Sequence, residues 1–191
     1  MYRFLISILL FTSIFINNAF GEIKIGVIFG FSGPIERLTP AMAESAELAF
    51  KEASESKLLL DGETIKVIKA DSTCTDPDAA TVAAEKVISE GVKAIIGAVC
   101  PSITKAILLN SAIPNKVTMI SPAASSAALT SLNDKGFFFR TTPSDTRGGE
   151  ILADITKDRK IKKVAVTYVN NDYGKSLASV FKESVESYGI K

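Results

Sequence analysis

The chain has 191 residues, 47% of them hydrophobic, which is enough for one medium domain or for parts of two. Its 22 Lys and Arg residues nearly balance its 21 Asp and Glu residues, so net charge gives no reason to expect nucleic acid as a partner. The chain has no histidine, the commonest general base and metal ligand, which favours a protein that is not an enzyme and needs no metal or other cofactor.

Residues 1–21 have the pattern of an export signal. Arg3 supplies the positive start, residues 4–16 form an apolar core, and Ala19 and Gly21 are small residues at the positions that define cleavage. The alternative is a membrane anchor, but the apolar core is shorter than the roughly 20 residues of a spanning helix. We therefore expect cleavage after Gly21 and a periplasmic protein without a membrane anchor, since no cysteine for lipid attachment lies near the cleavage site.

Beyond the signal, short apolar runs alternate with amphipathic stretches of helical period. Asp76 and Pro77 are typical of a helix start and Gly91 of a helix end, and Asp145 or Ser144 caps a later helix. The repeated strand–helix order predicts an α/β fold with a Rossmann-like parallel sheet and right-handed crossovers. The predicted strands are 23–29, 64–70, 94–96, 117–120, 137–139 and 163–168, and the predicted helices begin near residues 40, 77, 102, 145 and 176.

The third and fourth predicted strands both run into loops with small hydroxyl residues. Ser102 and Thr104 follow the third strand, and the loop 121–126 follows the fourth. Ligands of open parallel sheets bind beyond the carboxyl ends of the strands, and free backbone amides there favour anions. The loops therefore predict a site for a small carboxylate held by hydroxyl and N–H groups. A hydrolase is the alternative, but the chain lacks G-x-S-x-G and, without histidine, cannot build a Ser-His triad.

A series of ordered motifs relates these loops to a known family. Residues 22–191 resemble the periplasmic leucine/isoleucine/valine-binding proteins, the type I solute receptors of ATP-binding-cassette importers. The resemblance rests on the motifs GFSGPI, DSTC, GAVCPSIT, MISPAASSAALT, FFFRTTPSD and NNDYGKSLA.

The resemblance implies two lobes that close around a ligand by hinge motion near residues 141–145. An N-terminal ligand-binding lobe is expected at 22–141, and residues 142–191 are expected to begin a second, similar lobe. Because 142–191 would supply only part of that lobe, we expect the chain to be truncated.

The resemblance also assigns roles to particular residues. The small and hydroxyl residues of the two loops are expected to hold the ligand's α-carboxylate and α-ammonium, and a tyrosine of the second lobe is expected to cover the ligand. Pro101 stands where the family usually has its first serine, so Ser102 and Thr104 are the substitutes expected to bind the carboxylate. The predicted ligand-binding residues are Ser102, Thr104, Ala123, Ser125 and Tyr173.

Cys74 and Cys100 are the two cysteines of the chain, and they follow the second and third predicted strands at the same end of the sheet. In an exported protein this arrangement favours a disulfide, and the resemblance points the same way. Two buried free thiols are the alternative. Nucleophilic catalysis by either thiol is not expected, because no histidine can lower its pKa.

Taken together, the sequence predicts a monomeric extracytoplasmic receptor that binds branched-chain or related amino acids between two lobes. Its expected partners are the amino acid ligand and the membrane subunits of the importer. The alternative with the same fold is an amide- or urea-sensing protein. The export signal favours the receptor, since a cytoplasmic regulator would need none.

Overall fold

The computed structural model describes residues 21–58 and 62–191, so the predicted export signal lies outside the described residues except for Gly21. The centre of the fold is a five-stranded parallel sheet with the strand order β2-β1-β3-β4-β5. The first five predicted strands are confirmed to within one residue at each end. The strands are β1 (Glu22–Phe29), β2 (Thr64–Asp71), β3 (Ala94–Gly97), β4 (Thr118–Ser121) and β5 (Phe138–Arg140).

Helices connect most of the consecutive strands and follow β5. They are α1 (Thr39–Glu55), α2 (Pro77–Ser89), α3 (Pro101–Ile107) with a π-helical continuation (Leu108–Ala112), α4 (Asp145–Asp158) and α5 (Asp172–Ser187). As predicted, Asp76 caps α2, and its carboxylate accepts from the N–H groups of Asp78 and Ala79, each at 3.0 Å. Ser144 rather than Asp145 is the N-cap of α4. Within the two described ranges, no helix is both long and apolar enough to cross a membrane.

The sheet buries apolar side chains on both of its faces. On β1, Ile28 belongs to the cluster formed with α2 and α3, whereas Val27 and Phe29 pack with Ala43 of α1. Successive side chains of a strand point to opposite faces, so a strand covered on both sides needs a continuous apolar run. The sheet is therefore a rigid support for the loops at its carboxyl edge.

The sixth predicted strand, at 163–168, is wrong. The segment has no regular secondary structure, because a strand needs a neighbouring strand to pair with. Its contact with other backbone is a short one near its start, where Val164 N donates to Lys191 O at 2.7 Å and Lys191 N donates to Lys162 O at 3.1 Å. The side chains of Val166 and Tyr168 are consequently exposed.

Residues after β5 form an apolar cluster of their own. Ala153 of α4 and Val185 of α5 are buried together with Ile190, and Val164 and Phe181 pack against them. The helices approach closely, because a Cβ added at Gly149 of α4 would meet the side chain of Val180 at 2.5 Å. This cluster is separate from the two that flank the sheet.

Candidate functional site

The strand order places a crevice between the exits of β1 and β3. From β1 the chain moves outward to β2 on one side, and β3, β4 and β5 follow on the other. In an open α/β sheet such a switch point separates the two adjacent exit loops, and small ligands bind there. The loops after β1, β3 and β4 are therefore the ones to examine.

The predicted disulfide between Cys74 and Cys100 is confirmed, with a Cα–Cα distance of 5.6 Å across a sequence separation of 26 residues. The bridge joins the turn after β2 to the start of α3. Closing a loop of this length stabilises the fold by about 3 kcal/mol in the chain-entropy account. It also limits how far the first turn of α3, which carries Ser102, can move.

Ser102 and Thr104 both lie in α3 but in different surroundings. Thr104 is buried, and its Oγ1 donates to the carbonyl of Cys100 at 2.9 Å, which stabilises the first turn of the helix. Ser102 is half-buried and lines a cavity of about 230 Å³. Of the two predicted carboxylate donors, Ser102 is thus the one whose side chain borders open space.

The loop after β4, which carries Ala123, is organised by a buried serine. Ser121 donates its hydroxyl hydrogen to the carbonyl of Ala98, and its oxygen accepts from the N–H groups of Ala123 at 3.3 Å and Ala124 at 2.9 Å. The hydroxyl therefore fastens this loop to the exit of β3, so the two hydroxyl-bearing loops are held side by side.

Ser125, in the same loop, is paired with Asp145, an acid that the sequence analysis placed at a possible helix cap and in the expected hinge but not in the ligand site. The Ser125 hydroxyl donates to Asp145 Oδ2 at 3.1 Å, and Asp145 N donates back to the Ser125 carbonyl at 2.9 Å. Because Asp145 takes the hydroxyl hydrogen, the Ser125 oxygen is left with its lone pairs as an acceptor. An acceptor beside a carboxylate suits a ligand ammonium.

Arg140, at the end of β5, is a second residue that the sequence analysis missed. Its Nη1 donates to the carbonyls of Ala124 at 3.2 Å and Ser126 at 2.9 Å, and its Nη2 donates to Thr130 Oγ1 at 2.6 Å. The guanidinium thus fixes the backbone on both sides of Ser125. A single arginine at the end of the otherwise aromatic run FFFR was the available signal.

Asp71, at the end of β2, is the third missed residue. Partial burial alone would raise the pKa of its carboxyl, but hydrogen bonds from the Ser32 hydroxyl and from the N–H groups of Thr73, Ser32 and Phe31 outweigh burial and lower the pKa below its usual range. The carboxylate therefore stays ionised and holds the loop that leaves β1.

Tyr173 lies in the first turn of α5 with 42% of its surface exposed. The cavity beside Ser102 is lined by Lys175 and Ser176 of the same helix, and Tyr173 is not among its lining residues. The oxygens of Ser126 and Ser176 lie 3.1 Å apart and join α5 to the loop after β4. The structure thus brings α5 to this loop through Ser176, while Tyr173 is exposed and does not line the cavity beside Ser102.

No group of three or more His, Cys, Asp or Glu side chains among residues 21–58 and 62–191 is placed to hold a metal ion. The candidate site combines the hydroxyl groups and amides of the two loops with the carboxylate of Asp145, and Lys105, Asp172 and Lys175 line the cavity beside Ser102.

Residues 22–191 match the model of a family described as periplasmic binding protein. Leu/Ile/Val-binding protein homolog 3 of Brucella melitensis is 30% identical over 178 residues, which is 92% of this chain and 47% of that protein. The leucine-, isoleucine-, valine-, threonine- and alanine-binding protein of Pseudomonas aeruginosa is 30% identical over 92% of this chain and 46% of its own length. The chain thus spans about half the length of the curated relatives it matches.

A solved structure gives the same likeness in three dimensions. The branched-chain amino acid transporter substrate binding protein LivJ from Streptococcus pneumoniae, in complex with isoleucine, is 30% identical with a TM-score of 0.75, over 86% of this chain and 47% of that one. The α/β fold with its parallel sheet is therefore the fold of a solute-binding protein.

Proposed function

Because the chain belongs to the periplasmic binding protein family over residues 22–191, we propose that it is the solute-binding receptor of an ATP-binding-cassette importer. It binds branched-chain or related amino acids in the periplasm and passes them to the importer's membrane subunits. It reaches that compartment through an export signal cleaved after Gly21, and it acts there as a monomer without catalysis.

Two groups of contacts hold the ligand in this proposal. The α-carboxylate is bound by the hydroxyl of Ser102 and by backbone amides of the loop after β4 other than those of Ala123 and Ala124, which donate to Ser121. Ser125, with Asp145 behind it, binds the α-ammonium, and Ala123 completes this side of the site. The observation that carries the proposal is the 3.1 Å hydrogen bond from Ser125 to Asp145, because it turns a neutral loop into an acceptor for a cation.

The amino acid lies between an N-terminal lobe at 22–141 and the part of a second lobe that begins at 142. Asp145 lies near the start of the second part and contacts Ser125 in the first. The residue that binds the ligand ammonium therefore also lies in the expected hinge. Tyr173 reaches the ligand by closure of the second lobe, since it is exposed in the present arrangement. A neutral amide or urea would leave Asp145 without a cationic partner, which disfavours a sensor of such compounds.

Calorimetric titration tests the proposal. The purified protein should bind leucine, isoleucine or valine, and Asp145→Asn should weaken leucine binding about tenfold, since a charge-assisted hydrogen bond is worth about 1.5–3 kcal/mol. Asp134→Asn is the matched control, because Asp134 accepts from Gly136 N in the connector before β5. The corresponding 2-oxo acid lacks the ammonium, so its affinity should not respond to Asp145→Asn. Equal leucine affinity in the wild type and the Asp145 variant would refute the assignment.

A further inference from the structure

The loop that leaves β1, residues 30–38, is closed on itself at its base. The buried hydroxyl of Thr39, the first residue of α1, donates to the carbonyl of Gly30 at 2.8 Å. The backbone therefore returns to the sheet edge right where it left it. Between these points the loop exposes Leu38, 65% of whose surface is accessible, while Phe31 is half-buried against Phe29.

Asp71 holds the other part of this loop from the neighbouring strand. It lies opposite Phe29 in the parallel register of β1 and β2. Its Oδ1 accepts from the N–H groups of Phe31 at 2.9 Å and Ser32 at 3.3 Å, and its Oδ2 accepts from the Ser32 hydroxyl. One carboxylate thus fixes two consecutive residues of the loop.

The Asp71 carboxylate also holds the turn after β2. Oδ1 also accepts from Thr73 N at 2.8 Å, which places the turn after β2 against the same group. A Cβ added at Gly33 would collide with the Thr73 carbonyl, so the loop and the turn are in close contact. The ion pairs found in the described part of the chain do not include Asp71, so N–H and O–H dipoles offset its charge.

We propose that Asp71 is a positioning residue that sets the selectivity of the site for the ligand's side chain, by holding the loop 30–38 as a preformed wall. The proposal rests on the proposed function. The loop leaves β1 at the switch point, and a Cβ added at Gly30 would meet the Cβ of Cys74 at 3.2 Å, so the loop begins beside the bridge to Cys100, the N-cap of the helix that carries Ser102. Leu38 is the exposed apolar side chain that the loop offers to a ligand. A wall that is already ordered spares the ligand the cost of ordering it. Asp71 touches the loop and not the groups that hold the α-carboxylate and α-ammonium.

Leucine and alanine distinguish this role from general stabilisation. Both ligands have the same charged groups, but only leucine has a long side chain to contact the wall. Asp71→Ala removes every acceptor oxygen and should weaken leucine binding about tenfold, the equivalent of one hydrogen bond to a charged group. Alanine affinity should change much less, so the ratio of the two affinities falls. Asp71→Asn keeps one acceptor oxygen and should restore part of the ratio, and it serves as the test variant if Asp71→Ala does not fold.

Calorimetry on the wild type, the two Asp71 variants and the control Asp134→Ala provides the measurement, and amide hydrogen exchange at Phe31 and Ser32 provides a readout that needs no ligand. Faster exchange at both amides with a lowered leucine-to-alanine ratio supports the proposal. Equal losses for both ligands, or unchanged exchange, overturn it. If the wild type binds none of these amino acids, the proposed function fails, and the loop's dependence on Asp71 is still decided by the exchange rates.

Discussion

Arg140 Nη1 lies 2.9 Å from the backbone carbonyl of Ser126, and the same nitrogen donates to Ala124. Ser125 stands between these two carbonyls. Its orientation toward Asp145 therefore depends on an arginine of the neighbouring strand whose own hydrogen bonds go to Ala124, Ser126 and Thr130.

We expect Arg140→Lys to weaken leucine binding. A lysine ammonium carries its three donors on one nitrogen, so it cannot reproduce the two nitrogens of the guanidinium, of which Nη1 bonds both carbonyls while Nη2 reaches the Thr130 hydroxyl. The loss should be about tenfold, the effect of one hydrogen bond to a charged group. Arg147→Lys is the control, because Arg147 forms an exposed ion pair with Glu150 on the surface of α4. Titration with leucine that gives the same affinity for both variants would contradict this account.

Removing the disulfide should lower the free energy of unfolding. The paired substitutions Cys74→Ser and Cys100→Ser restore chain freedom to the unfolded state, and the expected loss is about 3 kcal/mol. Denaturant unfolding followed by circular dichroism measures it, with and without a reducing agent. Reductant should shift the midpoint of the wild type and leave that of the double variant in place. If the reducing agent does not change the wild-type denaturation midpoint, the bridge does not contribute to the free energy of unfolding.

Asp71 should contribute to stability in a pH-dependent way. Its pKa is lower in the folded protein than in the unfolded chain, so its contribution is complete above the unfolded value of about 3.9 and is lost as the pH falls through the lower folded value. The difference in melting temperature between the wild type and Asp71→Asn should be constant from pH 7 to about 5 and should shrink below about 4. Thermal melts at stepped pH provide the measurement. If the difference in melting temperature instead grew toward acid pH, it would contradict a lowered pKa of Asp71 in the folded protein.

The exported protein should begin at Glu22. The first residue pair of the sheet joins Glu22 to Thr64, so the fold uses the chain from this residue onward. Cleavage after Gly21 would leave β1 intact, whereas cleavage several residues later would remove its first pairs. N-terminal sequencing of the periplasmic fraction identifies the start. Protein that retains Met1 in that fraction would be inconsistent with a cleaved signal.

The strands of the sheet could be predicted because their signal is local. β1 and β3 are apolar runs that end in glycine or a turn. Such a run can be recognised as a strand from its own residues, without knowing which strand it pairs with. The segment 163–168, KVAVTY, is also rich in β-branched and aromatic residues, but the structure gives it no neighbouring strand to pair with. A strand is completed by a neighbour, which periodicity along one segment cannot show.

Part of the candidate site could be proposed from the sequence for a similar reason. Hydroxyl residues in loops after strands mark the edge of the sheet, which is why Ser102 and Ser125 could be proposed from sequence. Asp145, Arg140 and Asp71 act on loops that are distant in sequence: Asp145 contacts a residue 20 positions away, and Asp71 contacts Phe31 across 40 positions. Only the strand order brings these pairs together, so their roles required the structure.

The bridge between Cys74 and Cys100 also bears on how the protein is made. Within this chain two cysteines allow a single intramolecular pairing, so no wrong intramolecular bridge can form and none has to be reshuffled. Biogenesis of this part of the protein then requires a thiol oxidase in the periplasm but no disulfide isomerase. A host lacking the oxidase should accumulate the reduced form, whereas one lacking only the isomerase should produce it normally.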